Sequence, residues 1–179
     1  MSFIVKDGGD FKPHPQGQYR AVCMDVVDLG MVENKKWSKT QHKAALVFHT
    51  EAVMDDGKPW EIWERFTVTL SDQGHLRPFL ESWRGKAFTP EELKGFDLEK
   101  LIGVNALIQV VHSAKDSKTY ANIRGIMLLP RGVEKMAPTV GYERRRDRKQ
   151  EPATVTASNG PNYDEPPASL QDDDDDLPF

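Results

Sequence analysis

Residues 60–83, WEIWERFTVTLSDQGHLRPFLESW, change their hydrophobic period part-way, and that change decides the fold. Up to Leu70 the residues alternate: Ile62, Phe66, Val68 and Leu70 face a core, and Trp63, Arg65 and Thr67 face outward, as on a half-buried strand. Beyond Ser71 the spacing becomes i, i+3, i+4, i+7 at Leu76, Phe79, Leu80 and Trp83, the apolar stripe of a short helix. Ser71 or Asp72 is placed to cap that helix and Gly85 to end it. Pro78 is tolerated only in a first turn, so the helix starts near residues 74–77. Phe79 and Trp83, on the stripe, belong to the core.

Working outward, 19–29 (YRAVCMDVVDL) and 44–54 (AALVFHTEAVM) read as strands, separated by a polar, basic loop or extended hairpin arm at 30–43. Asp55-Asp56-Gly57-Lys58 is a hairpin turn leading into the strand at 60–70. On the other side, Thr89-Pro90-Glu91-Glu92 is a capped turn, and FDLEKLIG at 96–103 gives one more helical turn closed by Gly103. Two final strands read at 104–113 and 119–129, joined by AKDSK. Three strands, a helix and two strands make an all-β fold, a five-stranded OB-fold barrel with its helix between strands 3 and 4. A sandwich or an SH3-like barrel shares much of this pattern.

The expected organisation is an N-terminal arm at 1–18, the barrel at 19–131, a flexible linker at 132–171 and a disordered acidic tail ending at 172–179. Charge divides the same way: residues 1–149 carry 24 basic and 20 acidic side chains, whereas 150–179 carry eight acidic and none basic. Residues 143–150, ERRRDRKQ, form a basic knot just before the linker's Pro-, Ala- and Ser-rich part. Cys23, the single cysteine, excludes an internal disulfide and a cysteine zinc cluster, and its apolar strand makes it a buried thiol. No apolar stretch has the length of a membrane span, and MSFIVKDGGDF lacks a secretory h-region, so the expected location is cytoplasmic.

Single strands are held by basic grooves that track phosphates and by aromatic faces on which bases stack. Lys35, Lys36, Trp37, Lys39 and Lys43 put an aromatic among lysines in the loop between strands 1 and 2. Trp63 beside Arg65 offers a second platform on strand 3. Lys115 and Lys118 flank the loop between strands 4 and 5, and Tyr120, Asn122 and Arg124 share one face of strand 5. The plainer readings are a Trp37 packed on the barrel rim and a Trp63 packed across strands. For catalysis the residues offer little. His14, His42, His49, His75 and His112 show no metal-ligand spacing, and no phosphate loop, nucleophile elbow or Cys–His pair is present. The expectation is a non-enzymatic protein without cofactor or metal. A metal-dependent nuclease built on scattered carboxylates is the alternative.

Residues 172–179, DDDDDLPF, follow five carboxylates with an apolar Leu177-Pro178-Phe179. An acidic run alone reads as a solvated, solubilising end. The apolar end adds a peptide that a partner pocket can take, with a basic rim receiving Asp172, Asp173, Asp174, Asp175 and Asp176. This stretch resembles the acidic tip of bacterial and phage single-stranded DNA-binding proteins, with Leu177 at a position often Ile in that family. Residues 75–129, which include HLRPFLESWRGKAFTPEELKGFDLEKLIG, also look like small phage-encoded members. The resemblance implies sequence-independent binding of single-stranded DNA in replication or recombination, with the tip recruiting replication, recombination and repair proteins. The Asn-x-Val-x-Leu-x-Gly run of cellular bacterial members is absent, which points away from their homotetramer and toward a phage or mobile element in a bacterial cell. A homo-oligomer stays open. The rival is an interaction protein that carries the tip to capture host partners and does not use DNA.

Deleting Leu177 to Phe179 should abolish recovery of replication and repair proteins from a bacterial lysate while leaving DNA affinity unchanged or slightly higher. The charge pairs speed encounter, whereas the ring is the anchor. Equal recovery by full-length and truncated chains in a pull-down would make the terminus a solubilising end only.

Overall fold

A computed structural model describes residues 12–36 and 38–148 of the chain. Its longest strand, β1 (Gly17–Asn34), is shared: residues 17–22 pair with β4 (Asn105–Lys115), and residues 21–34 pair with β2 (Lys39–Val53). Two register shifts, between Cys23 and Asp25 and between Asp28 and Gly30, place one extra residue each in β1. Bulges of this kind bend a strand and increase its twist, which lets β1 turn from one partner to the other. β3 (Pro59–Thr67) pairs with β2, and β5 (Lys118–Leu128) with β4, every pairing being antiparallel. The result is one five-stranded sheet in the order β3-β2-β1-β4-β5. β3 and β5, at the two ends of that order, also touch each other.

The arm expected at 30–43 is mostly strand, because Lys39–Lys43 continue the ladder with Gly30–Asn34. Between β3 and β4 lie the helix α1 (Leu76–Arg84), the short α2 (Pro90–Leu93) and a 3-10 turn at Leu98–Leu101. α1 buries Leu76, Phe79, Leu80 and Trp83 against Leu46, Phe48, Ile108 and Ile126 of the sheet. Four such side chains contribute ~1.5–3 kcal/mol each when fully buried. Trp83 Nε1 donates to the carbonyl of Asn105 at 2.9 Å, which fixes the helix to the start of β4. Gly85 ends α1 in the left-handed region, at φ 68°, as its position suggests. Neither Ser71 nor Asp72 caps the helix: its N-cap is His75, without a side-chain hydrogen bond, and Asp72 pairs with Arg77 instead. Thr89 does cap α2, in a reciprocal capping box with Glu92. Cys23 is buried, and burial first of all pushes its thiol up to about 12.

Alternation on β3 holds with one correction. Ile62 and Phe66 are in the core, but Val68 is 39% exposed because β3 stops at Thr67. The residue sharing the inner face with Ile62 and Phe66 is Glu64, only 1% exposed, with His75 Nε2 at 3.5 Å from its carboxylate. Burial raises its carboxyl above the usual carboxylate range against the opposing pull of His75 and the Ile123 backbone.

A raised acid binds its proton more tightly when folded, so its stability contribution is complete below the unfolded value of 4.5 and is lost as pH rises through the folded one. Each unit of upward shift corresponds to ~1.4 kcal/mol. Glu64→Gln should therefore gain stability over the parent as pH rises, measured by urea unfolding from acid to mildly alkaline pH. A gain largest at acid pH would contradict this account of Glu64.

Candidate nucleic-acid interface

Strict alternation along β2 separates two faces. Leu46 and Phe48 turn to the main core, while Lys39, Gln41, Lys43, Ala45, Val47 and His49 turn outward. Register then aligns Asp25 and Val27 of β1, and Glu61, Trp63, Arg65 and Thr67 of β3, on that outer face. Ala45, Val47 and Trp63 form a second, small apolar cluster there, with Val27 and Leu29 packed against it.

The chain after β5 comes back over this face as a strap, residues 131–148. Arg20 donates to the Glu134 carbonyl at 3.0 Å, and Asn105 exchanges two hydrogen bonds with the Met136 backbone, at 3.0 and 2.7 Å. The His49 ring lies 2.7 Å from Thr139 Oγ1 and meets Tyr142 edge-on. Arg144 donates to Asp25 at 2.8 Å and grips Glu99 with two nitrogens at 2.7 and 2.8 Å. The Arg145 backbone N–H donates to the other Asp25 oxygen at 2.8 Å, and the Arg145 guanidinium lies 4.7 Å from the centre of the Trp63 ring. The flexible linker expected at 132–171 rests on the composition of 151–171 and on the end of the strand pattern after Pro130. The described part of it, 132–148, is instead tied down by ion pairs and hydrogen bonds, which hydropathy does not register. The rest of that span lies outside the described residues.

The electrostatics follow from the pairings. Hydrogen bonding to Glu99, and then to Asp25, raises Arg144 further above its already high value, and Arg144 in turn holds Glu99 below the usual range. Burial pushes Glu61 up, but hydrogen bonds from His49 and Trp63 together with Arg145 outweigh it and leave the carboxyl lowered. Burial, then Glu61 and Asp25, raises the Tyr142 phenol beyond its ordinary value.

No family model matches the chain, and no curated protein matches it. Among the described residues, no group of three or more His, Cys, Asp or Glu is placed to hold a metal ion, and no helix is long and apolar enough to cross a membrane.

The candidate binding residues divide into three groups. Lys35, Lys36 and Lys39 are exposed at the tip of the β1–β2 hairpin, and Lys43 is half-buried further along the outer face with Arg65. Lys115 and Lys118 are the exposed pair that closes the β4–β5 hairpin, where Asp116 and Ser117 form the turn. Arg124 is exposed as the extra residue of a β5 bulge, Tyr120 is half-buried, and Asn122 is buried with its amide on Ser113 at 2.5 Å. Trp37 and Asp172–Phe179 lie outside the described residues. Trp63 does sit on the outer face, as alternation requires, but it is 6% exposed beneath Arg145 and donates to Glu61 at 2.5 Å. As the structure stands, a base cannot stack on it.

Residue patterns missed the groups that build this arrangement: Asp25, His49, Glu61, Asn105, Arg144 and Arg145. The available signals were an aspartate inside the apolar run of β1 and three consecutive arginines before the low-complexity stretch. Trp63→Ala should lower unfolding stability by ~3 kcal/mol, as removal of a buried aromatic does. A urea melt checks this. An unchanged midpoint would return Trp63 to the role of an open platform.

Proposed function

We propose that this protein is a sequence-independent single-stranded DNA-binding protein of the phage type, built on a five-stranded OB-fold barrel. Its acidic end recruits replication, recombination and repair proteins. The strand order β3-β2-β1-β4-β5, with a helix between β3 and β4 and contact between β3 and β5, supports the barrel. One observation carries the binding reading: Lys39 and Lys43 of β2 and Arg65 of β3 share the outer face, beyond the last strap anchors on those strands. Lys35 and Lys36 continue the same cationic line to the hairpin tip, and Trp37, next to Lys36 in the sequence, is the residue for a base to stack on. Lys115, Lys118, Tyr120 and Arg124 add a second basic hairpin.

The reading without DNA, an interaction protein that uses only the acidic tip, draws support from a different observation. Among the described residues no Trp, Tyr or Phe side chain is exposed.

Fluorescence polarisation with labelled oligothymidylate against a duplex of equal length separates the two. Binding should prefer the single strand and fall with salt, because each phosphate contact releases counterions at a slope of roughly −0.7 in log K against log salt. Replacing Lys36, Lys39 and Lys118 together by Ala should make the slope shallower by roughly 2. A salt-insensitive affinity or a preference for duplex would contradict the proposal, and no binding at all would leave the interaction protein.

A further inference from the structure

The positive charge of the folded body resides in the strap. Residues 1–130 carry 17 Lys and Arg against 17 Asp and Glu, whereas residues 131–149 carry seven against three. Beneath or beside the strap lie Asp25, Glu61 and Glu99. Were the strap lifted, a single strand entering the outer face would bring phosphates against three carboxylates, a repulsive arrangement. With the strap in place, those carboxylates are neutralised by Arg144 and Arg145. The side chain of Arg146 stays 61% exposed while reaching Glu99 at 3.3 Å and Asp147 at 3.6 Å, and Arg131 and Lys135 are exposed where the strap begins. Arg148, half-buried, lies over the Tyr142 ring, 5.9 Å from its centre, with its Nε donating to the Glu143 carbonyl at 3.2 Å. The strap thus puts cations at both of its ends and converts a carboxylate cluster, Asp25 and Glu61 on the sheet and Glu99 on the 3-10 turn beside it, into a surface that phosphates can approach.

We propose that a single strand runs over the strap, not beneath it, with Arg131, Lys135, Arg146 and Arg148 contacting its phosphates. Arg144 and Arg145 are positioning residues: they hold the strap down and cancel the carboxylates below. This rests on the single-strand reading and assigns to the protein a binding surface outside the two hairpins. It also gives Trp63 a structural task, as the ring on which Arg145 is seated.

The test uses the full-length chain and labelled oligothymidylate over a range of salt. Arg131→Ala with Lys135→Ala, and Arg146→Ala with Arg148→Ala, should each weaken binding and make the salt slope shallower by roughly 1.4, two contacts at 0.7 each. Thermal melting checks that the variants fold. A four-fold variant that binds as tightly as the parent overturns the proposal, and one that binds more tightly makes the strap a cover that DNA displaces. Hydrogen exchange on the unaltered chain decides independently of folding: amides of residues 139–148 should keep or gain protection when oligothymidylate is added. Loss of protection there would overturn the proposal. If the parent binds no single strand, both this proposal and the function it rests on fall. If the parent binds and the strap variants match it, only the strap surface is lost.

Discussion

A single extra residue in β1 is the constraint on which the rest depends. Cys23 faces the main core, and simple alternation would turn Asp25 the same way. The bulge between them shifts the register by one, so Asp25 pairs with Val47 and faces outward. A one-residue slip changes the face of every following side chain. Without it a carboxylate would enter the apolar interior, and Val26, which packs against the main core, would point out of it. With it, Asp25 becomes the outer-face anchor that receives Arg144 and the Arg145 backbone. The same bend lets one strand serve two partners, and so carries the sheet from β2 round to β4.

The anchor has an energetic character of its own. Asp25 is 1% exposed, and taking such a carboxylate out of water costs several kcal/mol before any attraction is counted. The Arg144 pair and the two-pronged hold on Glu99 offset that cost without turning it into a large gain. What the ion pairs provide is placement. An apolar strap could slide over Ala45, Val47 and Trp63, whereas guanidinium and carboxylate geometry fixes one register. The Asn105–Met136 exchange fixes a second point upstream in the same way.

Much of the fold was legible because it is written in local period. The switch from alternation before Leu70 to the spacing of Leu76, Phe79, Leu80 and Trp83 located both β3 and α1, and all four stripe residues are buried. Turn chemistry located Thr89 and Gly85. The misses have physical causes. Ser71 and Asp72 looked like caps by position, but Arg77 claims Asp72. Glutamate is seldom interior, yet Glu64 occupies the inward position between Ile62 and Phe66. Residues 132–148 carry no strand or helix period, and local period holds no information about partners some 120 residues away such as Asp25.

By itself, then, the sequence determined the element types, the helix stripe, the outward direction of Trp63 and the basic character of the two hairpins. Each depends on residues a few positions apart. Tertiary structure alone decided the sheet order, the burial of Trp63 under Arg145, and the union of Asp25, Glu61 and Glu99 with a run of arginines from the far end of the chain. Those features arise from a bulge and from charge pairs between distant segments. Neither leaves a periodic trace, because the strength of an ion pair depends on distance and burial in space and not on separation along the chain.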